Sequence, residues 1–431
     1  LEAVLPFRFV HAADIHLDSP MKSLALRDPA LAELIGNATR RAFVKIVNIC
    51  LEERVDALLL AGDLYDGDQT SMQTARFLAD QLRLLHAADI PVFIIRGNHD
   101  AISRITEELT LPDTVTIFKT KSKPVKIIRG PGDRPVWIHG RSFGQQHEPG
   151  DPLSYYKAPV TGATNIGLLH TSLDGSTRHD PYAPCKLVDL QASGFHYWAL
   201  GHIHKFAIHE GETTVVMPGI PQGRDIGEAG VKYAMLVTIT DDDTVLVERR
   251  RTSIAQFEEL TIDLTGISEW GEMARVLGRE LGRARHGIES EHLIARLRLT
   301  GTTPLAWRLR QDHDKLTTEA QAQADGLHKS WIDKVDVRCA APAGDVNRSE
   351  QAGIVPLEEL RRLMVTIAKD NGFLEHITRL AEDLRGQLPA DCREMIGLDE
   401  SGIAAFAAAN AAEGIEDVLA RFTVAKNEER N

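Results

Sequence analysis

Five short polar segments recur along the first half of the chain, each directly behind a run of apolar residues. They are Asp14-Ile15-His16, Gly62-Asp63, Gly97-Asn98-His99-Asp100, His170 and Gly201-His202-Ile203-His204. The runs before them, Phe7 to Val10, Ala57 to Leu60, Val92 to Ile95, Ile166 to Leu169 and Tyr197 to Leu200, read as strands. Open α/β sheets place ligands at the carboxyl ends of their strands, so segments far apart in sequence are expected to meet at one rim.

Between these strands, Thr39 to Glu53 and Ser71 to Ala88 carry apolar residues at helical spacing. Further strands, Val136 to Ile138, Thr214 to Met217, Ala234 to Ile239 and Val245 to Glu248, follow with little helix among them. Pro218-Gly219-Ile220-Pro221 and Gly130-Pro131-Gly132 are turn signals. An α/β start that passes into a β-rich second half predicts two sheets packed face to face with helices outside.

From Phe257 the texture changes. A strand to Leu264, an amphipathic helix over Ser268 to His286 stopping at Gly287, and a strand through Leu293 to Leu299 are expected, the last with Arg296 and Arg298 on one face. Thr303-Pro304 has the chemistry of a helix start, that helix running to Gly326, and Trp331 to Cys339 closes a β-α-β-α-β unit. Ala341 to Gly353 reads as a linker, and helices follow from Pro356, with Ile403 to Ala412 rich in alanine. The expected division is 1–255, 256–340 and 341–431, since 431 residues exceed one ordinary core.

Charge must be taken by region. The net charge of −13 argues against a nucleic-acid partner only if it is spread evenly, and it is not: residues 341–431 hold 17 acidic and 10 basic residues. Residues 271–310 carry eight arginines against four glutamates, and arginine suits bidentate phosphate contacts. The four cysteines are widely separated, which disfavours a disulfide framework or a thiolate zinc site. No run reaches the roughly 20 apolar residues of a membrane helix. Arg8, Asp14, His16 and Asp18 stand where a signal peptide would be apolar, so a cytoplasmic protein is expected.

The residue types at the five strand ends suit phosphodiester hydrolysis by two cations, which hold the non-bridging oxygens and acidify a water from about 3.5–4 Å apart. A shared carboxylate is the natural bridge, and Asp63 is the candidate. Asp14 and His16 would serve one ion with His204, and Asn98, His170 and His202 the other. Imidazoles, carboxylates and one amide without thiolate suit manganese, iron or zinc. On an extended backbone His99 would point away from the ion of Asn98, as a candidate general acid, with Asp100 orienting its ring. Asp66 and Asp18 are further substrate-side or supporting candidates. His11, His86, His139, His147, His196 and His209 read as ordinary core or loop residues.

The ordered set resembles the calcineurin-like metallophosphoesterases. His11-Ala-Ala-Asp-Ile-His-Leu-Asp18, Ala61-Gly-Asp-Leu-Tyr-Asp66, Arg96-Gly-Asn-His-Asp100 and Tyr197-Trp-Ala-Leu-Gly-His-Ile-His-Lys205 are similar to the bacterial DNA-repair exonuclease subunits of the SbcD and YhaO type. His170-Thr-Ser-Leu-Asp-Gly175, Tyr182-Ala-Pro-Cys185 and Pro218-Gly-Ile-Pro-Gln-Gly223 favour YhaO. The resemblance implies a two-sheet metallophosphoesterase sandwich with a small α/β cap and a helical C-terminal segment. It implies Asp14, His16, Asp63 and His204 on one manganese ion, Asp63, Asn98, His170 and His202 on a second, and His99 in the catalytic position. Asp66 stands where archaeal and eukaryotic relatives often carry histidine.

By the same resemblance the cap helps hold DNA, which points to Arg275, Arg279, Arg283, Arg285, Arg296 and Arg298. The helical segment would dock on an SMC-like coiled-coil ATPase, and a homodimer is implied. The leading expectation is a metal-dependent DNA exonuclease subunit of a repair complex. The alternatives are a phosphodiesterase on small or cyclic nucleotides and a non-catalytic scaffold for an ATPase. Residues beyond the catalytic domain favour DNA, and the intact ligand set disfavours the scaffold.

Overall fold

Strands β1 (Phe7–Ala12), β2 (Ala57–Ala61), β3 (Val92–Ile95) and β4 (Val115–Ile117) lie side by side and parallel, joined in part by helices α1 (Pro29–Glu53) and α2 (Met72–Ala87). The computed structural model describes residues 6–19, 29–66, 71–100, 110–121, 123–127, 134–145, 150–173, 183–342, 355–388, 393, 396–397 and 399–422. The turn at Gly130 to Gly132, Tyr182, most of the expected linker and Cys392 lie outside them.

A second sheet takes β5 (Val125–Ile127), β6 (Val136–Gly140), β7 (Thr164–His170), β8 (Tyr197–Gly201), β9 (Ala207–His209) and β10 (Thr214–Met217), with the short α3 (Leu187–Gln191) before β8. Its order is β5-β6-β7-β8-β10-β9, and β6, β7 and β8 are parallel. The chain then returns to the first sheet as the hairpin β11 (Tyr233–Ile239) and β12 (Val245–Arg251), with β11 antiparallel to β1, giving the order β12-β11-β1-β2-β3-β4.

Alternation along the strands sets the layers. Phe9, Leu59 and Phe93 pack against Ile138, Leu168 and Ala199 of the facing sheet, while Val10, Leu58 and Leu60 meet Phe43 and Ile46 of α1 and Leu78 and Leu82 of α2. On the far face of the second sheet Leu169, Trp198 and Val215 cover Leu190 and Phe195. Strands buried on both faces read as continuous apolar runs, which is why the segment before each polar motif lacks alternation. Ser71 caps α2 by accepting the N–H of Thr74. This unit, residues 1–258 with 288–293, is the two-sheet sandwich flanked by helices.

The second unit holds residues 259–287 and 294–431. Strands β13 (Ala255–Asp263), β14 (His292–Thr300) and β15 (Ser330–Val337) form a sheet in that order, with α4 (Trp270–Gly287) and the pair α5 (Ala306–Gln311) and α6 (His313–Asp325) between them. The single helix expected from Thr303 to Gly326 breaks at Asp312, whose ψ of 38° leaves the helical region. Helices α7 (Val355–Ile367), α8 (Asn371–Gln387) and α9 (Glu400–Phe422) follow. The acidic charge of the tail is partly absorbed here: Asp417 pairs with Arg310 at 3.2 Å, Glu413 with Arg338 at 2.6 Å and Glu416 with Arg361 at 3.2 Å. None of the described helices is long and apolar enough to cross a membrane.

Candidate metal centre

Every one of the five polar segments sits at the carboxyl end of a parallel strand: Asp14 and His16 after β1, Asp63 after β2, Asn98 and His99 after β3, His170 closing β7, His202 and His204 after β8. The loops after β1 and β2 run together, with Asp14 N–H on the Gly62 carbonyl at 3.0 Å and His16 N–H on that of Asp63 at 3.1 Å. Asp14, His16, Asp63 and His202 all have positive φ, between 46° and 101°. Non-glycine residues rarely hold that conformation, and where they do they cluster at functional sites.

Glycines make the approach of these loops feasible. A Cβ on Gly97 would collide with the Asp63 carboxylate, and one on Gly62 would stand 2.5 Å from Nδ1 of His170. Gly201 similarly faces the carbonyl of Ala61, where a Cβ would overlap it.

The donor atoms converge in two groups. Those of Asp14, His16 and His204 lie within 4.8 Å of one another, as do those of Asp63, His170 and His202. Nδ1–H of His16 donates to Asp66 Oδ1 at 2.6 Å and that of His204 to Glu228 Oε1 at 2.7 Å, which turns the two Nε2 atoms toward each other at 3.2 Å. His170 gives its Nδ1–H to the Ala61 carbonyl at 2.9 Å, so its Nε2 meets Asn98 Oδ1 at 3.0 Å and Asp63 Oδ2 at 3.3 Å. Acceptor facing acceptor is unfavourable unless a positive charge sits among them, and imidazoles fixed through Nδ1 are the usual form of histidine ligands. The residues therefore fit a pair of divalent cations.

Electrostatics agree. Burial by itself lowers the basicity of His170, but the charge and hydrogen bond of Asp63, with Asp14 and the Ala61 carbonyl, raise it to about 9. Burial pushes Asp63 up, and His170, His16 and His99 outweigh it, holding the carboxyl well below its usual range. Burial raises Asp14 to about 6, opposed by His170 and His204. His16 is lowered to about 4, first by burial and then by Arg224, against the pull of Asp66.

Residues 7–206 match the family model for calcineurin-like phosphoesterases, and residues 257–340 match the middle domain of the metallophosphoesterase YhaO. The chain is 33% identical over 298 residues to the metallophosphoesterase YhaO of Bacillus subtilis (strain 168), an overlap of 69% of this chain and 72% of that protein. The chain belongs to the calcineurin-like metallophosphoesterases, in their YhaO branch. It is also 24% identical over 304 residues to the DNA double-strand break repair protein Mre11 of Aeropyrum pernix, covering 65% and 70% of the two chains. A 28% identity over 206 residues relates it to the protein of the same name from Methanocaldococcus jannaschii, covering 46% and 51%.

In this metallophosphoesterase His99 stands at the edge of the centre, its side chain 41% exposed and its backbone N–H on Asp63 Oδ1 at 3.0 Å. The expectation that Asp100 orients the His99 ring is corrected. Asp100 is buried and accepts the backbone N–H groups of Leu64, Tyr65 and Gly97 at 3.0 to 3.2 Å, so it fixes the two loops that carry Asp63 and Asn98. Among the described residues the carboxylate that pairs with the His99 ring is Asp66, 3.6 Å from Nδ1. Asp18 is held by the fork of Arg40 and by the Thr74 hydroxyl, an anchor between α1 and α2.

Sequence reasoning missed Arg224, Glu228 and Phe143, whose ring centroid lies 5.6 Å from that of His170 with the two planes at 89°. The i,i+4 spacing of Arg224 and Glu228 behind the Pro218 turn was the available signal. The arginines expected to meet DNA lie in the second unit. Arg296 pairs with Asp333 at 2.6 Å and Arg298 with Glu259 at 2.9 Å across the sheet. Arg275, Arg279 and Arg283 are exposed on α4, where Arg279 and Arg283 share Glu280 and Arg275 reaches the Gly271 carbonyl. Arg285 is half-buried on the same helix.

Proposed function

We propose that this metallophosphoesterase is a manganese-dependent DNA exonuclease, a subunit of a repair complex. The observation that carries the reading is the pair of acceptor sets sharing one rim, Asp14, His16 and His204 beside Asp63, Asn98, His170 and His202, with partly exposed His99 next to them. Bound there, two divalent ions would hold the phosphodiester oxygens and acidify a water. Asp63, at the centre of the charge network, is the residue both sets would share. His99, tied by its backbone to Asp63, holds its ring outward and gives a proton to the leaving oxygen.

DNA is favoured as substrate because two relatives are named for double-strand break repair and because a second folded unit follows the catalytic one. The division into 1–255, 256–340 and 341–431 belongs to this reading, as does an SMC-like ATPase docked on the C-terminal helices. Leu363, Ile367, Leu380 and Leu384, exposed on α7 and α8, are the apolar residues such a partner would cover.

The test is a manganese titration on end-labelled linear duplex DNA and, in parallel, on a chromogenic phosphodiester, with His99→Ala as control. Shortening from the ends that requires manganese and is lost in the variant is the expected result. Turnover of the small ester alone would leave a nucleotide phosphodiesterase or a nuclease that requires its ATPase. Bound metal with neither activity would leave a scaffold.

A further inference from the structure

Behind the histidine pair of one candidate metal position lies a half-buried guanidinium that the reaction itself does not use. Arg224 follows the Pro218-Gly219-Ile220-Pro221 turn, and its side chain is 19% exposed. It closes on Glu228 from three atoms: backbone N to Oε2 at 2.8 Å, Nη2 to Oε1 at 2.8 Å and Nε to Oε2 at 3.3 Å. Its other face reaches Asp66 Oδ2 at 3.5 Å and Ser19 Oγ at 3.3 Å, and Ser19 in turn donates to Asp66. The two carboxylates so gathered are those that accept Nδ1–H of His204 and of His16.

We propose that Arg224 is a positioning residue that fixes both imidazoles of this one metal position, His204 through Glu228 and His16 through Asp66. The inference rests on the two-cation reading of the rim. Two carboxylates converging on adjacent imidazoles repel each other and would turn apart if uncompensated. A planar guanidinium can hold both in fixed directions, whereas an ammonium is a point charge without that geometry. Among the described residues no equivalent reaches His170, whose Nδ1–H is held by the Ala61 carbonyl. The positions are thus supported differently, one by side chains and one by backbone, so loss of Arg224 strikes only one.

The experiment is manganese binding to the chelator-stripped full chain, counted by loss of the free-ion paramagnetic resonance signal, for the unaltered protein, Arg224→Lys and Arg224→Leu. The unaltered protein should bind two ions. In Arg224→Leu one should weaken by about 10- to 100-fold while the other keeps its affinity, with Arg224→Lys intermediate. Should Arg224→Leu fail to fold, Glu228→Gln and Asp66→Asn each loosen one imidazole and should give the same selective loss. Equal weakening of both ions, or no change in either, overturns the proposal. An unaltered protein that binds no manganese overturns the two-cation reading and the proposal together, whereas selective loss without DNA cleavage leaves the proposal standing and removes only the nuclease reading.

Discussion

Oδ2 of Asp63 lies 3.3 Å from Nε2 of His170, and both side chains are buried. Without a cation the imidazole itself carries the positive charge that this field demands. Its basicity is raised in the fold, so its contribution to stability is fully present below about pH 6.5 and is lost as pH rises through about 9. The melting temperature of the chelator-stripped protein should therefore fall over that window. Manganese should flatten the profile, because the ion replaces the proton. Calorimetric binding at pH 7.5 in buffers of different ionisation enthalpy should register proton release, and a buffer-independent heat would contradict the assignment.

Gly97→Ala places a methyl group against the Asp63 carboxylate and 2.8 Å from the Asp63 backbone nitrogen. The carboxylate must shift, and displacements near 1 Å cost roughly 100-fold in rate. Turnover of a chromogenic phosphodiester should fall by about that factor, with weaker manganese binding. Overpacking should cost about 1–3 kcal/mol in stability, read by urea unfolding.

Asp100→Asn separates the two roles considered for that carboxylate. Three backbone N–H groups depend on it, and burial, then Asp63, raise its pKa to about 6 against their pull. An amide presents one acceptor oxygen and an NH₂ that faces donors, so a loss of about 1–3 kcal/mol is expected. If Asp100 oriented His99, the substitution would instead shift the pH dependence of turnover while leaving stability unchanged.

Arginines on α4 and those on β14 should respond differently to charge reversal. Arg275→Glu with Arg279→Glu removes two exposed cations, and if α4 meets DNA the dependence of log affinity on log salt should shallow by roughly 2, with the small ester still turned over. Arg296→Glu would instead set a like charge against Asp333, whose side chain is only 9% exposed, so its main effect should be a lower melting temperature. Unchanged DNA affinity in the first double variant would take α4 out of the interface.

The layered sandwich and the placement of Asp14, His16, Asp63, Asn98, His170, His202 and His204 were legible because both follow from strand order: apolar runs bury on two faces and polar residues collect where they end. Side-chain direction was less legible. Asp100 is expected beside the His99 ring, but the chain turns after Gly97, and its carboxylate goes inward to the N–H groups of Leu64, Tyr65 and Gly97. Arg224 and Glu228 look like ordinary loop charges until the fold buries them against His204. The break at Asp312 likewise leaves no mark in the helical spacing.

The contact between Gly201 and the Ala61 carbonyl sets a gauge for the rim. One residue belongs to each sheet, and they meet through backbone atoms, so the approach of the two sheets beside the centre is limited by main chain instead of by side-chain rotamers. Any side chain at position 201 would push these strand ends apart, and with them the donor atoms that each group draws from both sheets.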